Sequence, residues 1–249
     1  MIVVKTPEQI DRMRRAGNLV AQTLDLVEQA ALPGTKTATL DALAEEFIRS
    51  QGAEPAFKGY MDYPATLCVS IDDEVVHGIP GERRLKEGQI VSIDVGVRDG
   101  GWYADAARTV RVGAVSPAAI RLLTVTQEAL RRGIEVARPG NRLGDISAAV
   151  QTYAEENGYS VVRELVGHGI GQKMHEEPQI PNFGRPRSGP ELKRGMVLAI
   201  EPMVNAGRAE VRFDADKWTV RTVDGSLSAH FEHTVAITDA GPDILTQVD

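Results

Sequence analysis

The chain has 249 residues, a net charge of −7, 42% hydrophobic and 25% charged residues, a composition of an ordinary soluble domain with enough length to bury a sizeable core. No run of like charges is present, which disfavours nucleic acid or an anionic membrane as the partner, and no stretch approaches the ~20 apolar residues of a membrane span. The amino terminus turns charged too soon for a signal peptide, and one cysteine, Cys68, cannot form an internal disulfide, so a reducing cytoplasmic setting is expected.

The first expected element is a helix opening near Pro7, over EQIDRMRRAGNLVAQTLDLVEQA. In TLDALAEEFIRSQG, Leu40, Leu43, Ala44, Phe47 and Ile48 fall at helical spacing, with Thr39 as the expected N-cap and Gly52 as the stop. LKEGQIVSID, residues 85–94, reads as a strand, and so does 102–112. Ser116-Pro117 reads as N-cap and first turn of a third helix through AAIRLLTVTQEALRRGIEVA. A fourth, DISAAVQTYAEENG from Asp145, places Ile146, Ala149, Val150 and Tyr153 on one face. LKRGMVLAIE, 192–201, and the segment 230–238 complete the strands.

These elements repeat. Adding about 106 to 39–52 gives 145–158, and Pro33-Gly34 answers Pro139-Gly140. At an offset of about 107, LKEGQIVSID lines up with LKRGMVLAIE, each ending in a carboxylate. The expectation is one α/β domain over 1–249 with two pseudo-symmetric halves, 7–112 and 116–238, sharing a core, since no Pro- or Ser-rich linker separates them.

Acids interrupt the strands. Asp94 lies in IVSIDVGV, Asp105 in WYADAARTV, Glu201 in VLAIEPMV and Glu232 in HFEHTVAI. One such acid could pair with an arginine, as Asp105 could with Arg108. Four converging acids would repel one another unless cations stood among them. Two divalent ions bridged by carboxylates meet that need; a structural zinc would ask for Cys/His coordination that one cysteine cannot supply. The segment VGHGIGQKMHEEP adds two histidines, His168 and His175, on glycine-rich backbone. One is expected to complete the metal shell and the other to face the substrate. GHGIG lacks the spacing and lysine of a phosphate-binding loop.

Taken together, VVHGIP, IVSIDVGV, DAARTV, VGHGIG, MHEEPQIPNF, IEPMV and DGSLSAHFEHT resemble the methionine aminopeptidases, and among them the bacterial type I enzymes, over nearly the whole chain. The resemblance implies a pita-bread fold, with a curved, mostly antiparallel sheet covered by helices. It implies Asp94 and Asp105 on one metal, His168 and Glu201 on the second, and Asp105 and Glu232 bridging. His77 and His175 match substrate-contacting histidines, and Tyr60, Tyr63, Cys68 and Trp218 match the pocket for the methionine side chain. Met174, Phe57, Met61-Asp62 and His230 depart from the usual residues, which bears on pocket shape and not on the metal ligands.

The expected function is removal of the N-terminal methionine from nascent proteins and peptides with a small second residue. A water activated by two divalent ions, Co, Mn, Fe or Zn, would attack the first peptide bond, with His175, Glu201 and His77 taking part in the chemistry. The expected protein is a cytoplasmic monomer, and the resemblance alone implies ribosome contact. The alternatives are another dinuclear metallohydrolase, such as a phosphoesterase, for which no Arg/Lys cluster sits among the ligands, or a non-catalytic module of the same fold, for which loss of ligands would be expected.

Overall fold

The computed structural model describes residues 1–248. Its first helix, α1 (Pro7–Ala30), begins where local chemistry dictates. Thr6 and Gln9 cap each other: Gln9 N–H donates to Thr6 Oγ1 at 3.4 Å, and Thr6 N–H to Gln9 Oε1 at 3.0 Å. α2 (Thr37–Ser50) starts two residues before the expected cap Thr39. The reason is tertiary: Thr37 N–H donates to Arg83 O and Ala38 N–H to Gly81 O, both at 2.9 Å, so a distant loop satisfies the helix end and no side-chain cap is needed. α3 (Pro117–Glu135) is capped by Ser116, whose Oγ accepts Ala119 N–H at 3.1 Å. α4 (Leu143–Glu156) opens two residues before Asp145, whose carboxylate instead reaches back to accept Arg142 N–H at 2.8 Å.

The strands of the first half, besides the two-residue Glu54–Pro55, are β1 (Leu67–Ile71), β2 (Glu74–Val76), β3 (Ile90–Asp99) and β4 (Trp102–Arg111). Those of the second, besides the short Ser160–Val161 and Val211–Phe213, are β5 (Val166–Gly169), β6 (Glu176–Pro181), β7 (Val197–Ile200), β8 (Met203–Asn205), β9 (Val220–Thr222), β10 (Ser228–His230), β11 (His233–Thr238) and β12 (Gly241–Ile244). β1 and β4 flank β3, while β12, β11, β7, β5 and β6 lie in that order in a five-stranded sheet. Among the described residues the strand pairs are antiparallel. α1 and α2 cover the first sheet through Leu19, Val20, Leu24, Leu40 and Ile48 against Val91, Ile93 and Val95. α3 and α4 cover the second through Leu122, Leu130, Ile146 and Val150 against Leu198, Ile200 and Val235.

Two expected strands are shorter than the sequence pattern. In both 85–94 and 192–201 the shared Leu-Lys-x-Gly is a turn, with Gly88 and Gly195 at φ 88° and 86°, and the strands begin only at Ile90 and Val197. The turns are equivalent, and so are the isolated bridges Lys36↔Arg84 and Arg142↔Glu191 beside them. The expected strand 230–238 is broken at Phe231-Glu232, because Glu232 N–H leaves its own sheet and donates to Ala107 O on β4 at 2.9 Å. Beside it, Thr234 Oγ1 accepts Asp105 N–H at 3.1 Å and donates to Asp105 O at 2.7 Å. These bonds form the seam between the two sheets.

Candidate active site

The acids gather along that seam. Cys68 pairs with Asp94, Asp94 with Ala107 and Gly96 with Asp105 across β1, β3 and β4. Since residues two apart share a face, Asp94 and Asp105 are diagonal neighbours on one side of the sheet, with Cys68 beside them. Glu201 follows β7 directly, His168 lies on β5, and Glu232 occupies the break between β10 and β11. Donor atoms of Asp105, His168 and Glu232 all lie within 4.8 Å of one another, and all three residues are buried. Asp94 and Glu201 line the same cavity, of about 180 Å³. Arg108, the alternative partner for Asp105, instead pairs with Asp25 and Glu28 on α1.

The electrostatics of this cluster call for cations. The Asp105 and Glu232 carboxylates, within 4.8 Å of each other, repel by at least roughly 3 kcal/mol at the effective dielectric of a protein. Burial, and then the neighbouring carboxylates, raise Asp94 and Glu232 well above the usual carboxylate range, and burial pushes Glu201 up to about 8. Burial opposes charge on His168, yet Asp105 and Glu201 carry it up to about 9. Asp94 Oδ1 is buried without a hydrogen-bond partner. His168 Nδ1 sits 2.9 Å from Gly169 O, a donor's position, which leaves Nε2 facing Asp105 Oδ2 at 3.4 Å and Glu201 Oε1 at 3.7 Å. A backbone carbonyl on one ring nitrogen and a free second nitrogen is the arrangement of a metal-binding histidine. The donor set of four carboxylates and one imidazole fits hard or borderline divalent ions.

Around the acids stand the other residues singled out from the sequence. Tyr60 Oη lies 2.8 Å from His175 Nδ1, and the His168 and His175 rings are 4.3 Å apart. Burial and the neighbouring His168 lower His175 to about 4, so it is neutral at pH 7. When Nδ1 accepts the tyrosine proton, Nε2 carries the hydrogen that can be donated to a ligand. His77, lowered to about 4 by burial, takes a left-handed φ of 60°, and Trp218 meets it edge-on at 6.3 Å. Trp218 also packs edge-on to Tyr63 at 5.0 Å, and buried Cys68 joins Tyr63 in a small apolar cluster. Burial pushes the Cys68 thiol up, so it is a wall of the pocket and not a nucleophile.

The unusual residues have places as well. Phe57 packs over Gly96, where a Cβ would stand 2.6 Å from its Cε1, so the bulky ring and the missing side chain are matched. Met174 is buried and lines the cavity beside His175. His230 lies outside the cavity wall, fully buried, with neither ring nitrogen hydrogen-bonded and Nε2 3.7 Å from Glu201 Oε2. Sequence reasoning missed the Tyr60–His175 contact, whose partners are 115 residues apart.

Comparison with known proteins gives the same direction. The profile of metallopeptidase family M24 matches residues 11–239. The chain is 54% identical over 248 residues to "Methionine aminopeptidase 1" of Bacillus subtilis (strain 168), covering 100% of both. It is similar to the crystal structure of methionine aminopeptidase from Rickettsia prowazekii, with a TM-score of 0.98 and 46% identity over 99% of this chain and 100% of that one. A prolidase from Pyrococcus furiosus shares the fold more distantly, with a TM-score of 0.80 and 24% identity over 99% of this chain and 66% of the other.

Proposed function

From the membership of this chain in metallopeptidase family M24, among its methionine aminopeptidases, we infer that it hydrolyses the first peptide bond of chains that begin with methionine. The observation that carries this reading is the meeting, in one cavity, of the acid–histidine cluster with two neutral histidines and a Tyr/Cys/Trp wall. Asp94, Asp105, His168, Glu201 and Glu232 would hold two divalent ions, drawn from Co, Mn, Fe and Zn. Bound there, such ions supply a Lewis acid and a water that ionises near neutral pH.

The remaining roles belong to side chains. Glu201 takes the proton of the attacking water. His175 donates a hydrogen bond to the scissile carbonyl oxygen, where negative charge develops, with Tyr60 fixing its ring. His77 contacts the scissile amide nitrogen. Tyr60, Tyr63, Cys68 and Trp218 receive the methionine side chain, whose thioether suits aromatic edges. The crowding of rings at the cavity favours substrates with a small second residue. The same reading makes the chain one domain, with halves 7–112 and 116–238 both supplying donors. It places the protein in the cytoplasm, as a monomer acting on nascent chains at or near the ribosome.

The test is chelation followed by reconstitution. Metal-free protein should not cleave Met-Ala-Ser, and one of the four ions should restore cleavage. Full activity without metal, or hydrolysis of a phosphate ester in preference to the peptide, refutes the proposal.

A further inference from the structure

The loop that carries His175 has no regular structure between β5 and β6. One side of it is held by the core, where Ile170 and Met174 pack with Met13 and Trp102 and Gly171 O accepts Tyr103 N–H at 2.8 Å. The other side borders a cavity of about 630 Å³, lined by Lys5, Gln172, Lys173 and Glu176 as well as His175, and there an ion pair braces it. Lys5 Nζ lies 2.7 Å from Glu176 Oε2, with the two side chains 1% and 9% exposed. The other carboxylate oxygen of Glu176 accepts Lys173 N–H at 3.2 Å, and Lys173 O accepts Gly171 N–H at 3.2 Å. Lys5 is itself fixed, its main-chain N–H donating to Gly195 O at 2.7 Å. Gly171 admits the pair, since a Cβ there would stand 2.6 Å from Lys5 Cε and 2.7 Å from Glu176 Oε1. Buried ion pairs bring little net stability over apolar replacements, and their best-attested use is to fix one geometry.

We propose that the Lys5–Glu176 ion pair is a positioning device for His175, holding the loop 171–176 so that the imidazole, gripped by Tyr60 on its other side, stays aimed at the scissile carbonyl. Lys5 and Glu176 are positioning residues that act through His175, and the inference rests on the role given to His175 above. It also accounts for the last glycine of GHGIG, which leaves room for the brace.

The test is a cycle of wild type, Lys5→Met, His175→Ala and the double variant. Each is assayed on Met-Ala-Ser at matched metal content, and amide hydrogen exchange is followed in the metal-free proteins. Lys5→Met should lower kcat about tenfold or more with KM nearly unchanged, and Lys5→Arg should restore most of it. Exchange should accelerate in 171–176 and stay unchanged in β3 and β4. In the His175→Ala background, Lys5→Met should have no further effect on kcat. If the two substitutions multiply, or if loop exchange is unchanged, the pair does not position His175 and the proposal falls alone. If His175→Ala itself leaves kcat unchanged, the role of His175 falls and takes the proposal with it. Glu176→Gln, which keeps a hydrogen-bonding oxygen for Lys173 N–H, goes through the same cycle and replaces Lys5→Met should that variant not fold.

Discussion

Replacing Glu74 by alanine should destabilise the chain while sparing the residues proposed to hold the metal ions. Glu74 lies on β2, buried, and its carboxylate accepts Ile71 N–H at 2.6 Å, Arg221 Nη2 at 2.5 Å, and the guanidinium of Arg83. Removing one partner of a buried ion pair costs about 3–5 kcal/mol, because the survivor is left uncompensated. Here Arg221 keeps Asp73 at 2.8 Å and Asp214 at 2.5 Å, and Arg83 is 46% exposed, so the lower end of that range applies. At roughly 2–4 °C per kcal/mol for a chain of this size, a loss of about 3 kcal/mol lowers Tm by about 6–12 °C. The functional effect follows from what the pair joins. β2 runs directly into His77, and β9 follows Trp218 by two residues, so the carboxylate clamps the two segments that bring those rings together. Urea unfolding, Tm and steady-state kinetics on Met-Ala-Ser measure the result. KM should rise several-fold while metal content is unchanged. A loss under about 1 kcal/mol together with an unaltered KM would show that the clamp is solvent-screened and does not order the pocket.

Two further outcomes bear on the pocket and the chemistry. His175→Ala should lower kcat by about 10²-fold or more, the usual loss for one donor to a developing oxyanion, and an unchanged kcat in single-turnover assays would remove it from the reaction. Trp218→Ala should cut the preference for methionine over alanine as first residue by about tenfold, measured as the ratio of kcat/KM on paired peptides; an unaltered ratio would mean that the side chain binds elsewhere.

The helices were legible because their signals are local: Thr6 with Gln9, Ser116 before Pro117, and apolar residues at helical spacing. The start of α2 was not, because the loop 81–83 satisfies its first N–H groups in place of Thr39. The strand ends misled for a related reason. Val and Ile runs look alike whether the residues before them are extended or turning, and only the left-handed glycines mark the turn. The acids stood out because a carboxylate in an apolar strand demands a partner, and the cavity gathers all of them. What stayed hidden were the supports. Lys5 and Glu176 are 171 residues apart, and Arg221 and Glu74 are 147 apart; neither pair carries a spacing that could announce it.

The Asp105–Thr234 clasp has an implication for how the molecule is assembled. Of the residues proposed to hold the ions, Asp94 and Asp105 come from the first half and His168, Glu201 and Glu232 from the second, and the Asp105–Thr234 hydrogen bonds join the strands that carry the two sets. During refolding, tight affinity for cations should therefore be the last property to return, arriving when the two layers close and not when each gains its helices.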